Sequence, residues 1–185
     1  MKSVAKVITV FGSSHPRPGE ACYEQARELG ASLTRAGFTI CSGGYAGVME
    51  AVSRGAKEAG GRTIAVTARF FRAQANPWVD QEMRVRSWQD RLFELIRRGE
   101  GYVVCPGGTG TLVELSVVWE MINKGVMNRR PVVSLGSFWR PVVECVRTAE
   151  IGPESVWLRN LGPLVHFAES PSEAAEYLAR ELGAE

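Results

Sequence analysis

The segment that most constrains the fold is residues 101–114, where an apolar run leads into a glycine-rich turn and then into a second apolar pattern. The first run, GYVVC, is typical of a buried parallel strand, and the later apolar residues recur three and four positions apart, as in a helix. The turn PGGTG therefore lies at the carboxyl end of a strand and opens a helix. Turns at this position bind ligands in open α/β sheets.

The composition of this turn favours an anionic ligand. Gly107, Gly108 and Gly110 let the backbone approach a ligand without an intervening Cβ. The N–H groups of the first helical turn point towards the same place and attract negative charge, and Thr111 adds a hydroxyl. The sequence therefore predicts a phosphate-binding turn at these four residues.

Glu114 follows Gly110 by four positions, in an early turn of the same helix, so it can face the same cleft. Two interpretations are open. An acidic residue near a helix N-terminus is electrostatically favourable without any further role. Alternatively, Glu114 is a catalytic acid, base or charge stabiliser beside a bound phosphate.

Apolar runs and helical patterns alternate along the rest of the chain. Strands are predicted at residues 4–11, 38–41, 62–67, 82–86, 101–105, 131–135 and 164–167. Helices are predicted at residues 20–36, 88–98 and 138–148. Further helices are predicted from the second glycine turn to about residue 59, after the core turn, and after Ser170 with Glu173 in a capping box. Residues 150–162 are predicted to form a loop with short helical turns. With no repeat or linker, residues 1–185 are expected to form one Rossmann-like domain of α/β class, a doubly wound, mostly parallel sheet of about six or seven strands flanked by helices.

Two further turns follow predicted strands. Ser13 and Ser14 follow the first strand, and their hydroxyls suit a phosphate or a ribose, although ordinary turn residues are an equal explanation. Residues 42–49 (SGGYAGVM) repeat the strand, glycine turn and helix of the core motif. We expect Gly43, Gly44 and Gly47 to close on the same ligand from a neighbouring strand.

Residues 68–80 form the longest irregular stretch before the core motif and contain Phe70 and Phe71. Aromatic residues on a loop at the carboxyl end of a strand can cover a base or a partner surface. Packing of the loop onto its own domain is the alternative interpretation.

Composition and charge narrow the possible functions. The formal net charge is +2, which does not favour nucleic acid as a partner. No apolar run approaches the roughly 20 residues of a membrane span, and the N-terminus shows no signal-peptide pattern. The four cysteines show no CxxC spacing, and Cys41 and Cys105 end apolar strand-like runs, which predicts buried free thiols in a reducing cytoplasm. The two histidines, His15 and His166, have no ligand-spaced neighbours, so neither a metal nor a cofactor is expected.

The core turn differs from the common nucleotide motifs. No Gly-Lys-Ser/Thr follows its glycines, as a Walker A loop requires, and the dinucleotide fingerprint belongs in the first βα turn, which here reads Gly-Ser-Ser. A nucleoside monophosphate or a sugar phosphate therefore fits better than ATP or NAD.

These residues resemble the Lonely Guy family of cytokinin riboside 5'-monophosphate phosphoribohydrolases, also known as "lysine decarboxylase-like". The family motif PGGxGTxxE is matched by residues 106–114, and its GGGxxGLM motif loosely by residues 42–49. The resemblance covers residues 4–136. It implies hydrolysis of the N-glycosidic bond of a nucleoside 5'-monophosphate, such as AMP or a cytokinin-type nucleotide, to free base and ribose 5-phosphate.

The resemblance also implies a catalytic pair and an assembly. The pair is Glu114 with Arg91, which takes the arginine position of the family's Met-His-x-Arg-Lys segment; Arg84 and Arg86 are weaker candidates for that role. Trp88, Gln89 and Leu92 depart from the segment, and Val113 stands where plant members tend to have a second Glu.

Family members are usually dimers, which implies a homodimer here. The helix after Glu114 offers Trp119, Met121, Val126 and Met127 for such an interface, with core packing as the alternative for Trp119.

Two other functions are compatible with a fold of this class. Decarboxylation with pyridoxal phosphate needs a Schiff-base lysine, and none of Lys2, Lys6, Lys57 and Lys124 has a cleft-like setting. Related Rossmann-like proteins are thought to carry a molybdenum cofactor, whose phosphate suits the same glycine turns. A carrier, or a protein that senses nucleotides without turnover, needs the glycines but not Glu114 and Arg91, so the pair favours an enzyme.

Overall fold

The structure is a computed structural model that describes residues 5–150 and 163–183. Strands and helices alternate as predicted. The strands are β1 (Val7–Phe11), β2 (Thr39–Ser42), β3 (Thr63–Ala68), β4 (Gln81–Val85), β5 (Gly101–Val104), β6 (Val132–Leu135) and β7 (Val165–Ala168). The helices are α1 (Ala21–Arg35), α2 (Val48–Glu58), α3 (Trp88–Arg98), α4 (Thr109–Asn123), α5 (Arg140–Glu150) and α6 (Pro171–Leu182).

The seven strands form one sheet in the order β4-β3-β2-β1-β5-β6-β7, and every adjacent pair is parallel. The chain winds from β1 outwards to β4, returns through α3 to β5 beside β1, and then winds outwards to β7. The predicted doubly wound fold is therefore confirmed. The winding direction reverses between β1 and β5, and a crevice at the carboxyl ends of two such strands is the usual ligand site of these sheets.

Side chains alternate between two cores, one on each face of the sheet. In β1, Ile8 and Val10 pack with α1, α2 and α6, whereas Phe11 packs with α3, α4 and α5. On this second face the buried Thr9 hydroxyl donates to the carbonyl oxygen of Leu95 in α3. The central strands are thus covered on both faces, and only their ends reach solvent.

Two predicted starts differ from the structure by more than one residue. The helix expected from residue 138 begins at Arg140, because a turn precedes it in which the Arg140 N–H donates to the Ser137 carbonyl and the Trp139 indole donates to the Cys105 carbonyl at 2.9 Å. The first strand begins at Val7, and its predicted start at residue 4 lies outside the described residues. The loop predicted at residues 150–162 also lies outside them, except that Glu150 ends α5.

The helix N-termini fall into two groups. α3 and α6, which follow the edge strands β4 and β7, are capped by the side chains of Ser87 and Ser170. The box predicted at Ser170 is half formed, because the Glu173 carboxylate accepts from the Glu169 N–H rather than from Ser170. In contrast, α1, α2 and α4, which follow the central strands β1, β2 and β5, have no side-chain cap. The helix ends with open N–H groups therefore gather around the central crevice.

Within the described residues, no helix is both long enough and apolar enough to cross a membrane.

Candidate functional site

Three turns are locked together where β1, β2 and β5 end. The Ser13 N–H donates to the Pro106 carbonyl at 3.2 Å, which joins the first turn to the core turn. The Val48 N–H donates to the Ser13 carbonyl at 2.8 Å, which joins the first turn to the second. Gly47 has a φ of +67°, and a Cβ there would lie 2.4 Å from the Ser13 carbonyl oxygen. The contact between the turns therefore excludes a side chain at Gly47.

The core turn leaves open space at the N-terminus of α4. Gly107 makes room for Thr111, since a Cβ there would lie 2.2 Å from its buried hydroxyl. Gly108 and Gly110 are exposed, and a Cβ at either one would have no neighbour within 4 Å. The protein itself does not require glycine at these two positions. The absence of a side chain there suits the approach of an external group to the open end of the helix.

The second turn shapes the cleft in a way that its sequence did not indicate. A Cβ at Gly43 would lie 1.7 Å from a guanidinium nitrogen of Arg91, so the missing side chain makes room for that guanidinium. Gly44 has a φ of +76°, and its carbonyl accepts hydrogen bonds from both the backbone and the side-chain amide of Asn76. Both glycines thus have reasons within the protein, apart from any phosphate.

Arg91 is held in a fixed position although it is almost buried, with 8% of its surface exposed. Its Nε donates to the Val66 carbonyl at 2.9 Å, and its Nη2 contacts the sulfur of Met49 at 3.7 Å. Burial lowers the pKa of Arg91, and Glu114 opposes that shift. The predicted pair is close: Arg91 Nη1 lies 4.0 Å from Glu114 Oε1.

Glu114 lies in α4, with 14% of its side chain exposed. Burial raises the pKa of Glu114 to about 7, and the positive charge of Arg91 lowers it. A carboxyl with a pKa near neutrality exchanges a proton readily at physiological pH, which is the property of a general acid or base. The arrangement combines such a group, a fixed cation and an uncapped helix N-terminus in one crevice.

The other predicted site residues lie away from Glu114 or form hydrogen bonds with their neighbours in sequence. Arg84 and Arg86 are exposed, on and just after the edge strand β4, so Arg91 is the arginine that reaches Glu114. The Ser13 hydroxyl is 3.1 Å from Nδ1 of His15 and accepts from the His15 N–H, which makes a local turn of these two residues.

Tyr45 has a role in the site that the sequence did not indicate. Its ring lies over the Arg91 guanidinium, 5.4 Å from ring centroid to Cζ. Its hydroxyl pairs with both the N–H and the carbonyl of Ala68, at 3.0 and 3.2 Å. The available signal was an aromatic residue inside a glycine turn. Ala68, to which the Tyr45 hydroxyl is hydrogen-bonded, lies 23 residues later in the chain.

In the described part of the chain, histidine, cysteine and acidic side chains form no group of three or more that could hold a metal ion. All four cysteines are free, and Cys41 and Cys105 are buried, as predicted.

The fold and site define an α/β protein with a ligand crevice at the topological switch point of a parallel sheet. The chain belongs to the SLOG cluster4 family, whose model matches residues 5–149. The predicted family resemblance is confirmed by curated relatives as well.

Two mycobacterial relatives are named cytokinin riboside 5'-monophosphate phosphoribohydrolase. The one from Mycobacterium tuberculosis is 30% identical over 115 residues, which are 60% of this chain and 61% of the relative, less than two thirds of its length. The one from Mycobacterium marinum is 31% identical over 129 residues, or 68% of each chain. Among solved structures, the molybdenum cofactor binding protein of Rippkaea orientalis has a TM-score of 0.77 at 22% identity, over 97% of this chain and 98% of that one. This likeness shows the shared fold.

Proposed function

We propose that this protein hydrolyses the N-glycosidic bond of a nucleoside 5'-monophosphate, such as AMP or a cytokinin-type nucleotide, to free base and ribose 5-phosphate. The observation that carries the proposal is the buried Glu114 carboxyl, with a pKa of about 7, placed 4.0 Å from Arg91 beside an uncapped helix. The names of the mycobacterial relatives support the same reaction class.

The site residues divide between holding and reacting. The open N–H groups of α4, together with Gly107, Gly108, Gly110 and Thr111, would bind the 5'-phosphate. Ser13, Gly43, Gly44 and Gly47 would close the site from the neighbouring turns. Binding a group that does not react supplies free energy for positioning the bond that does. The phosphate is anionic and the helix end attracts negative charge, so the nucleotide would enter in one orientation.

Glu114 would act at the anomeric carbon of the ribose. Cleavage passes through a state with positive charge on the sugar, which a nearby carboxylate stabilises. The electron pair of the C1'–N bond leaves with the base while water adds to C1'. Glu114 accepts the proton that the water loses, and that proton then goes to the departing base. Arg91 would keep part of the Glu114 population ionised, since its charge lowers the pKa of Glu114.

The experiment is incubation of the purified protein with AMP and the other nucleoside monophosphates, with an assay for free base and ribose 5-phosphate. Glu114→Gln should lower base release by at least about 100-fold, the usual contribution of a general acid or base. The matched control is Glu181→Gln on the opposite face of the sheet, where the carboxylate is exposed and lies 3.8 Å from its neighbour Arg180. No base release by the native protein would overturn the hydrolase, and base release that survives in Glu114→Gln would overturn the role of Glu114.

The alternative is a non-catalytic carrier or binding protein for a nucleotide or molybdenum cofactor. The fold similarity to the Rippkaea orientalis protein favours it, because that similarity extends over nearly the whole of both chains. A carrier has no use for the Glu114 carboxylate. Tight nucleotide binding without base release, unchanged in Glu114→Gln, is its expected result.

We also propose a homodimer and a cytoplasmic location. The described cysteines are all free thiols, which is typical of a reducing compartment. Trp119 is buried in the core of its own subunit, and α4 ends at Asn123, so Val126 and the buried Met127 lie beyond the helix to which the sequence assigned them. The interface would therefore use other residues of α4.

A further inference from the structure

Three aromatic rings beside the crevice have no role in the reaction proposed above. Tyr45 lies in the second glycine turn, and Phe70 and Phe71 lie in a short 3-10 turn after β3, at Arg69–Phe71. The rings of Tyr45 and Phe71 meet edge to face at 5.6 Å, and those of Phe71 and Phe70 at 5.4 Å. Each ring is steeply tilted against the next, with interplanar angles of 72° and 79°, so the three form a contiguous aromatic cluster, here called the platform, rather than one flat surface.

The platform borders the reacting pair. The Arg91 guanidinium lies 5.4 Å from the Tyr45 ring centroid and 5.5 Å from that of Phe71. The same guanidinium lies 4.0 Å from the Glu114 carboxylate. The rings are thus next to the pair, and a group attached to a ribose near Glu114 can reach them.

Hydrogen bonds fix the Tyr45 end of the platform. The Tyr45 hydroxyl pairs with both backbone groups of Ala68, and the Asn76 side chain donates to the Gly44 and Tyr45 carbonyls at 3.0 Å. Arg72 ends the 3-10 turn with a φ of +49°, a left-handed conformation that is unfavourable for a residue with a Cβ. The loop therefore keeps a strained conformation that presents its rings to solvent.

Phenylalanine is normally buried, yet Phe70 is 71% exposed and Phe71 is 42% exposed. Two neighbouring exposed rings on a fixed support, beside a cleft, are typical of a surface that a ligand completes. A planar heterocycle fits best, because aromatic rings bind flat rings by stacking and edge contacts. A ligand that also carries an anionic group would reach the open end of α4.

We propose that Tyr45, Phe70 and Phe71 form the base-binding subsite, which holds the nucleobase by its face. This inference rests on the proposed function for the identity of the ligand as a nucleoside monophosphate. Ring faces present no pattern of donors and acceptors, so the platform selects by ring size. AMP and GMP bind more tightly than CMP and UMP.

The test compares a ligand that has a base with one that lacks it. Calorimetry on Glu114→Gln protein gives the Kd of AMP and of ribose 5-phosphate, with and without Phe70→Ala or Phe71→Ala. Loss of a stacking ring should weaken AMP binding about 5- to 100-fold and leave ribose 5-phosphate within about twofold. Phe71→Trp should keep the AMP affinity. Phe93→Ala is the matched control, since Phe93 is 53% exposed in the same helix as Arg91.

Two outcomes overturn the platform: unchanged AMP affinity in both alanine variants, or an equal loss for AMP and ribose 5-phosphate. Phe70→Ala guards against unfolding, because so exposed a side chain contributes little to the core. The hydrolysis assay on the native protein separates the two proposals. Platform-dependent AMP binding without base release would overturn the hydrolase and keep the subsite, whereas base release with a KM insensitive to Phe70 and Phe71 would overturn the subsite alone.

Discussion

At the scale of single residues, Glu114 occupies a position that is unfavourable for its charged form. Its carboxyl is nearly buried, and the cation that would compensate it lies at 4.0 Å, the outer limit of an ion pair. Arg91 is meanwhile engaged with the Val66 carbonyl. A protein that needed only stability would have an apolar residue or a neutral amide at this position. Retention of a carboxyl there is typical of a site where function opposes stability.

This conflict predicts how stability depends on pH. An unfolded Glu has a pKa of about 4.5, and the folded value is about 7. Between these values the folded state binds a proton that the unfolded state has released, so the free energy of unfolding falls as pH rises from about 4.5 to 7. Glu114→Gln removes this titration. We expect the variant to gain on the order of 2–3 kcal/mol relative to the native protein between pH 4.5 and pH 8.

Urea denaturation of both proteins at pH 4.5, 6, 7 and 8 measures the effect. Glu181→Gln changes an exposed carboxylate on the other face of the sheet, so its free energy of unfolding should keep the native pH dependence. If Glu114→Gln also keeps the native pH dependence, Glu114 does not titrate near pH 7 in the folded protein.

At the scale of elements, the glycines of the site differ in what they make room for. Gly43 accommodates Arg91, Gly47 accommodates the Ser13 backbone, and Gly107 accommodates Thr111. Gly110 accommodates nothing that belongs to the chain, and it lies within the first turn of α4. A glycine in a helix is unfavourable relative to alanine, so its presence there requires an external reason.

Gly110→Ala should therefore separate stability from binding. The alanine Cβ meets no protein atom within 4 Å, and helix propensity favours it by about 0.5–1 kcal/mol. If a phosphate approaches the backbone at Gly110, the same Cβ would obstruct it and weaken the affinity for ribose 5-phosphate. Thermal unfolding and calorimetry on one preparation give both quantities. The difference between Glu176→Gly and Glu176→Ala, at an exposed position of α6 far from the crevice, tests the propensity effect alone. Unchanged ribose 5-phosphate affinity in Gly110→Ala would place the phosphate elsewhere.

The elements themselves could be predicted because their signals are local. The period of apolar residues and the glycines at helix ends gave α3 at its observed bounds and placed Glu114 inside α4. What could not be predicted depends on contacts between distant parts of the chain. Gly43 makes room for Arg91, which lies 48 positions later in the chain. Helix α5 starts two residues after its predicted start because the Trp139 indole is hydrogen-bonded to the Cys105 carbonyl. A single sequence carries no signal for such contacts.

At the scale of the whole molecule, the two halves of the sheet meet between β1 and β5, and α4 carries Glu114 from that junction along one face. α4 is apolar over most of its circumference. Leu115, Val118 and Ile122 are buried, and Val117 and Met121, on another side of the helix, are only partly covered. A helix with this pattern is typical of one that is covered on both sides. We therefore expect α4 to pack against a second copy of the chain.

Val117→Glu tests the homodimer. A charge at a half-buried position of an apolar interface is desolvated without a partner, so the variant should shift from dimer to monomer at micromolar concentration. Size-exclusion chromatography with light scattering measures the mass, and circular dichroism checks that the subunit remains folded. Ser172→Glu adds the same charge at an exposed position of α6, on the opposite face, and should leave the mass unchanged. A folded Val117→Glu protein that remains dimeric would place the interface away from α4, and a monomeric native protein would overturn the homodimer itself.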